Sequence, residues 1–317
     1  MKFTALFFHS LARYPKQVTS LSLDEVNCND TFIASFGCHV CKAVSRLAEG
    51  PVRSHSFAVR ALFVCLFYAS CSSAQTATTL NATSQAVTIM QNTMSALSSA
   101  NAINDITLSG TALWIVGSDN ETGSVTYRAV PAASRLDLNL SNGLRSENRS
   151  SGANGLTGAW VGPDGIVHPI ASHNLLVDSA MYPTYLLRNF LTSSNSSYTY
   201  VGSDSLDGIT TLHVSASQQF PDIPGNVGAT LQSLSQVDIY LDPSSFLPAA
   251  IAYNSHPDDD AFTNIQTKFR FSDYRNVSGA QIPFHIQKFL NGSLTLDFQV
   301  QSVSVNTGLN AAQLGQQ

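Results

Sequence analysis

The sequence predicts an α+β domain in which a curved antiparallel β-sheet wraps around helices. Two observations predict this class. About nine segments after residue 75 alternate apolar and polar side chains between turn-forming residues, a pattern typical of half-buried antiparallel strands. Two other segments, residues 84–98 and 171–192, carry apolar side chains at helical spacing. Those helices would cover the apolar face of the sheet.

The composition excludes several classes of protein. The 317 residues are 44 % apolar and 12 % charged, with a formal net charge of −5. This apolar content is sufficient for a core, so the chain is not a disordered polyelectrolyte. Phosphate binding needs clustered Lys and Arg, so we expect no nucleic acid partner.

The chain divides near residue 75 into two unlike parts. Residues 1–74 contain 7 Lys/Arg and 4 Asp/Glu, whereas residues 75–317 contain 9 and 17. All five cysteines lie in the first part: Cys28, Cys38, Cys41, Cys65 and Cys71. An apolar run over residues 61–69 follows basic residues and precedes Ser72-Ser73-Ala74. We therefore predict a signal peptide over residues 57–74 and a single mature domain over residues 75–317.

Two alternatives remain open in the first part. The sequence Tyr68-Ala69-Ser70-Cys71 resembles the end of a lipoprotein signal, so lipidation of Cys71 is the alternative to cleavage after Ala74. Residues 1–56 form an upstream extension, which a start codon placed too early would explain. Cys38-His39-Val40-Cys41 can be read as half of a metal or redox site, but zinc needs a second pair at suitable spacing, so no site is predicted there.

The elements up to residue 168 are a helix and a meander. Apolar residues at three- and four-residue spacing predict the helix over residues 84–98. The predicted strands cover residues 106–116, 125–130, 135–140 and 156–161, with turns at 119–120, 141–143 and 152–155.

Residues 171–192 are more apolar than one buried helix face requires. The segment contains Leu175, Leu176, Val177, Met181, Tyr182, Tyr185, Leu186, Leu187, Phe190 and Leu191. It is either a helical plug at the centre of the sheet or the lining of a cavity, and we expect Pro183 to interrupt the helix.

The remaining elements are mainly strands. Residues 198–202 and 209–215 predict a hairpin around Asp207-Gly208. Residues 224–234 predict a short helix, and residues 235–242 alternate as a half-buried strand does.

The last hairpin allows a prediction of register. A two-residue Asn291-Gly292 turn would mix apolar and polar residues on both faces. A three-residue loop, with Gly292 in the left-handed conformation, puts the large apolar residues on one face. It pairs Ile286 with Leu296, Phe284 with Phe298, Ile282 with Val300 and His285 with Asp297.

The second half of the chain resembles a known family. The resemblance rests on five segments: Val237-Asp238-Ile239-Tyr240-Leu241-Asp242-Pro243, Phe246-Leu247-Pro248, Phe271-Ser272-Asp273-Tyr274-Arg275-Asn276-Val277-Ser278-Gly279, Ile282-Pro283-Phe284 and Val303-Ser304-Val305-Asn306. They are similar to the LolA/LolB-like superfamily of bacterial envelope proteins, and especially to uncharacterised exported members. The resemblance covers residues 80–309 and implies an incomplete barrel around helices and an apolar cavity.

The function that follows is binding of a hydrophobic ligand. An acyl chain gains about 0.8 kcal/mol for each buried CH₂. We predict that Tyr182, Tyr185, Leu186, Leu187 and Phe190 contact a lipid, acyl chain or lipidated protein. The alternative is a structural or interaction protein of the envelope with a filled core. The location expected is the periplasm or the outer membrane, with peripheral membrane contact.

A hydrolase is the third alternative. Asp164, His168, Ser172 and His173 are close in sequence, but no Gly-x-Ser-x-Gly or His-Glu-x-x-His motif occurs, and residues 162–165 read as an ordinary turn. Residues 256–260 carry three aspartates without the spacing of a calcium loop, so a solvated turn is favoured. We therefore expect no enzyme activity, cofactor or metal.

Overall fold

The computed structural model describes residues 83–98, 103–152, 155–177 and 179–315. The predictions of an upstream extension, a signal peptide and a lipidated Cys71 lie outside these residues.

Thirteen strands form one antiparallel sheet. The strands are β1 (Ile106–Val116), β2 (Asp119–Val130), β3 (Ala133–Leu140), β4 (Gly143–Gly152), β5 (Gly155–Val161), β6 (Val167–Pro169), β7 (Ser196–Leu206), β8 (Ile209–Gln218), β9 (Val237–Leu241), β10 (Pro248–Ser255), β11 (Ile265–Val277), β12 (Ala280–Leu290) and β13 (Ser293–Val305). Their order across the sheet is β6-β5-β4-β3-β2-β1-β13-β12-β11-β10-β9-β8-β7.

The sheet consists of two meanders joined at its centre. Strands β1 to β6 form one meander and β7 to β13 the other, and β1 pairs with β13. The edges are β6 and β7, which follow each other along the chain, and the sheet is not closed between them. The predicted fold class, an α+β domain with an incomplete antiparallel barrel, is therefore confirmed.

Three α-helices accompany the sheet in the described ranges: α1 (residues 83–97), α2 (Pro183–Thr192) and α3 (Asn226–Leu234). Short 3-10 helices cover Ser172–Leu175 and Ala311–Leu314. None of these helices has the length and apolar character that crossing a bilayer requires.

The prediction that Pro183 interrupts a helix over residues 171–192 is wrong. Residues 176–177 and 179–182 are not helical, and Pro183 is the first residue of α2. A proline at this position removes an N–H group that would have no partner within the helix, and its fixed φ suits the first turn. The proline therefore starts the helix.

The core lies between the inner face of the sheet and helices α1 and α2. One cluster of buried residues contains Met90 of α1, Leu187 of α2, and Ile239 and Phe298 of the sheet. Inward-facing residues of strands from both meanders belong to this cluster. A sheet whose two halves contact the same helices has to curve around them.

The register predicted for the last hairpin is wrong, although its face assignment is right. The loop is the two-residue turn Asn291-Gly292. A β-bulge between the pairs that Lys288 and Phe289 form with β13 then places Ile286 opposite Phe298 and His285 opposite Gln299. The bulge restores the apolar face that the turn alone would scramble. His285 still reaches Asp297 diagonally, with Nε2 3.0 Å from Oδ1.

Gly292 has φ +79°, as predicted, and Asn291 has φ +46°, as a type I′ turn requires. We expect Gly292→Val to lower the free energy of unfolding by about 1 kcal/mol or more, since a β-branched residue is strained at positive φ. A Cβ at Gly292 would meet nothing within 4 Å, so the effect is conformational. Chemical denaturation measures it.

Gly152→Val is the matched control. A Cβ at Gly152 also meets nothing within 4 Å, and its φ lies outside the left-handed region. Equal stability losses in the two variants would contradict the prediction.

Candidate functional site

The predicted ligand-contacting residues lie in the core. Tyr182, Tyr185, Leu186, Leu187 and Phe190 are each at most 3 % exposed and belong to the main apolar cluster. The rings of Tyr182 and Tyr185 meet edge to face at 4.9 Å. Burial raises the pKa of Tyr182 to about 12. The side chains of α2 therefore fill the space that the sheet surrounds.

Two of these five residues also line a cleft. The cleft has a volume of about 150 Å³ and lies where α2 and the preceding 3-10 helix meet β4 and β5. Its lining includes Arg149, Leu156, Leu175, Leu176, Leu186 and Phe190. Pockets for drug-sized ligands usually measure about 300–1,000 Å³. An acyl chain therefore needs more room than the cleft offers in this conformation.

The inner face of β4 is charged. Arg145, Glu147 and Arg149 alternate along it, opposite Leu138, Leu136 and Ser134 of β3. We name these three residues, with Glu121 and Lys288, the charged floor.

Arg145 forms a buried ion pair with Glu121. Its Nη2 donates to Glu121 Oε1 at 2.8 Å, and the side chains of Arg145 and Glu121 are 9 % and 3 % exposed. The Arg145 guanidinium also lies 4.2 Å from the ring centre of Trp114. Burial raises the pKa of Glu121, but the Asn142 N–H and the Arg145 charge outweigh it, so the net direction is down.

Arg149 attaches the segment before α2 to the sheet. Its Nη1 donates to the carbonyl oxygens of Asn174 at 2.8 Å and Val177 at 3.1 Å, while Nε donates to Glu147 at 2.8 Å. A second attachment joins Asn174 to His256. Nδ2 of Asn174 donates to the His256 carbonyl oxygen at 2.8 Å, and the His256 N–H donates to Asn174 Oδ1 at 2.9 Å. Strand β4 and the loop that follows β10 thus fix the same segment.

The charged floor also borders a smaller cavity, of about 30 Å³. Its lining is Tyr127, Ser134, Leu136, Glu147, Arg149, Ser179, Ala180, Met181, Tyr253, Phe269, Lys288 and Leu296. The cavity therefore lies between the two meanders, under the loop that leads into α2.

The candidate acid–base residues have structural contacts. His168 stacks on Trp160 at 4.0 Å, and Asp164 accepts the Ile166 N–H at 3.0 Å in an exposed turn. Nε2 of His173 lies 3.0 Å from the Pro257 carbonyl oxygen. Asp260, in the acidic segment considered for calcium, accepts from Thr263 Oγ1 at 2.6 Å. Across the described ranges, no three His, Cys, Asp or Glu side chains are grouped to hold a metal ion.

The charged floor was not predicted. Turns were expected at residues 141–143 and 152–155, no element was predicted for the polar residues between them, and these residues form β4. The inward position of Lys288 could have been predicted, because residue 288 continues the inward series of Ile282, Phe284 and Ile286 at a spacing of two.

The sequence matches no protein-family model and no curated protein. Several solved structures are similar in fold. A domain described as an outer membrane lipoprotein-sorting protein, from Vibrio parahaemolyticus, is 9 % identical with a TM-score of 0.47, covering 73 % of this chain and 97 % of that one. A DUF1329 family protein from Desulfovibrio piger is 10 % identical, TM-score 0.49, covering 74 % and 97 %. A LolA superfamily protein from Nitrosomonas europaea is 11 % identical, TM-score 0.44, covering 73 % and 97 %.

Proposed function

We propose that this protein is an exported, non-enzymatic envelope protein that binds a hydrophobic molecule, an acyl chain or a lipidated protein, between the sheet and α2. One observation carries the proposal. The chain from the end of β6 to the start of β7 connects the two unpaired edges of the sheet, and this connection is the apolar segment that contains α2. The segment best suited to contact an apolar ligand is therefore the one at the opening of the sheet.

Binding would require this segment to move. The cleft beside Leu186 and Phe190 is too small for an acyl chain. The connection is held by side-chain hydrogen bonds, among them those of Arg149, Asn174 and Arg188, and by the burial of α2 side chains. None of these contacts pairs strands, so the connection can move without unpairing the sheet. Each ligand methylene removed from water contributes about 0.8 kcal/mol, and the sum has to exceed the free-energy cost of exposing the α2 side chains that the ligand displaces.

A second function is favoured by the burial of α2. The five predicted ligand-contacting residues are at most 3 % exposed, and such burial is expected in a filled core as well as in a closed pocket. With a filled core, the protein would serve the envelope as a structural or interaction protein.

Uptake of a fluorescent fatty acid distinguishes the two functions. We expect saturable binding by the wild type, and Leu187→Ala should weaken it by about fivefold or more because apolar contacts to the ligand are lost. Val227→Ala is the control, since Val227 is 59 % exposed on α3. Circular dichroism should remain native in both variants. If the wild type binds no fatty acid, phospholipid or acylated peptide saturably, the carrier function is wrong and the structural function takes its place.

A further inference from the structure

Lys288 lies on the inner face of the sheet. It is opposite Phe269 of β11 and Leu296 of β13, both buried. Its ammonium lies 5.7 Å from the centre of the Phe269 ring. The Lys288 side chain therefore places a cation in the space between the two meanders, where it lines the 30 Å³ cavity.

The charges around this cavity do not balance. Two cations, Arg149 and Lys288, line it with one anion, Glu147. Glu147 is bound to Arg149 at 2.8 Å. The described residues show no ion pair or hydrogen bond to the Lys288 ammonium. Lys288 is partly buried, and Glu147, the anion that attracts it, is already bound to Arg149, so the cavity favours the arrival of a second negative charge.

The protonation of Lys288 reflects the same surroundings. Burial lowers the pKa of Lys288, Glu147 opposes that change, and Arg149 adds to it, with a net lowering. An anion beside the ammonium would reverse this direction, since an opposite charge favours the charged form.

We propose that the cavity at Lys288 binds the carboxylate head group of an anionic amphiphile, so that the hydrophobic ligand is a long-chain carboxylate. This inference rests on the proposed function and names the ligand class of the same site. The carboxylate accepts from the Lys288 ammonium, and the first methylenes pack on Met181, Phe269 and Leu296, which also line the cavity. The cavity now has room for about one water molecule, so entry of the head group requires the same movement of the segment before α2 that acyl binding requires.

The test compares ligands of equal chain length. Purified protein is titrated with dodecanoate, dodecanol and acetate by calorimetry. We expect the wild type to bind dodecanoate about tenfold or more tightly than dodecanol, because a charge-assisted hydrogen bond is stronger than a neutral one. Acetate should compete with dodecanoate for the head-group site and should not weaken the binding of dodecanol. This comparison needs no variant, so it holds even if a substitution impairs folding.

A variant then assigns the preference to Lys288. Lys288→Met should remove the preference for dodecanoate and leave dodecanol binding unchanged, and Lys288→Arg should retain it. Lys268→Met is the matched control, because Lys268 lies 5.7 Å from the ring of Phe289 in a corresponding contact but does not line the cavity.

The outcomes separate the two proposals. Equal affinity of the wild type for dodecanoate and dodecanol, or an unchanged preference in folded Lys288→Met, overturns the anion site while acyl binding stands. If neither amphiphile binds, the proposed function fails with it. Binding of acetate alone, with no effect of the chain, would show a free-anion site and overturn the amphiphile as ligand.

Discussion

Glu121→Leu is expected to lower the free energy of unfolding by about 3–5 kcal/mol, the usual cost of removing one partner of a buried ion pair. The substitution leaves the Arg145 guanidinium buried against Trp114 without its 2.8 Å partner. It also removes the acceptor for the Asn142 N–H at 2.9 Å and for the Ser141 hydroxyl at 3.1 Å. Urea denaturation followed by circular dichroism measures the loss.

A double variant separates the unpaired charge from the loss of packing. Replacing a buried pair by apolar residues is often neutral or stabilising, so Glu121→Leu/Arg145→Met should be more stable than Glu121→Leu alone. Arg270→Met is the exposed control. Its partner Asp207 is 50 % exposed, so the change should cost less than about 1 kcal/mol. A double variant no more stable than the single one would contradict this account.

Asp105→Ala is expected to cost about 3 kcal/mol, because hydrogen bonds to a charged group contribute about 1.5–3 kcal/mol each and are not additive. Asp105 is 2 % exposed and precedes β1. Its carboxylate accepts from the N–H and hydroxyl of Thr307 and from the N–H of Gly308, all at 2.9 Å. The side chain thereby fixes the segment after β13, and the melting temperature should fall.

The contribution of Asp105 should also depend on pH. Burial raises the pKa of Asp105, but the bonds from Thr307 and Gly308 outweigh it, so the folded-state pKa lies below the ordinary value of 3.8. The unfolded chain then binds the proton first, and stability is lost as pH falls from about 4. Asp105→Asn should therefore reduce this slope relative to the wild type. A slope in Asp105→Asn identical to that of the wild type would refute the assignment.

Much of the fold could be predicted from the sequence. Strand β1 begins and ends at the predicted residues 106 and 116, and α1 and α3 agree with their predictions to within two residues. These elements bury one face, so the periodicity of their apolar residues reports their conformation directly. The alternation of Val237, Ile239 and Leu241 correctly predicted strand β9 for the same reason.

The errors occurred where burial does not follow apolar character. Strand β4 directs Arg145, Glu147 and Arg149 inward, and no alternation of apolar and polar residues marks it. The ion pair that stabilises the buried Arg145 joins β4 to Glu121 of β2, 24 residues earlier in the chain. In the last hairpin, a local pattern fixed which face is buried, but a bulge beyond the turn decided the partners.

The pairing of β1 with β13 has a consequence for the order of folding. Each meander grows by adding hairpins between neighbouring segments, which closes only short loops. The central seam joins Ile106 to Val305, and the entropy of closing a loop rises with its length. We expect the two meanders to form before the seam that unites them. Until then β1 and β13 are bare strand edges in addition to β6 and β7, so the protein most needs protection from aggregation in this interval.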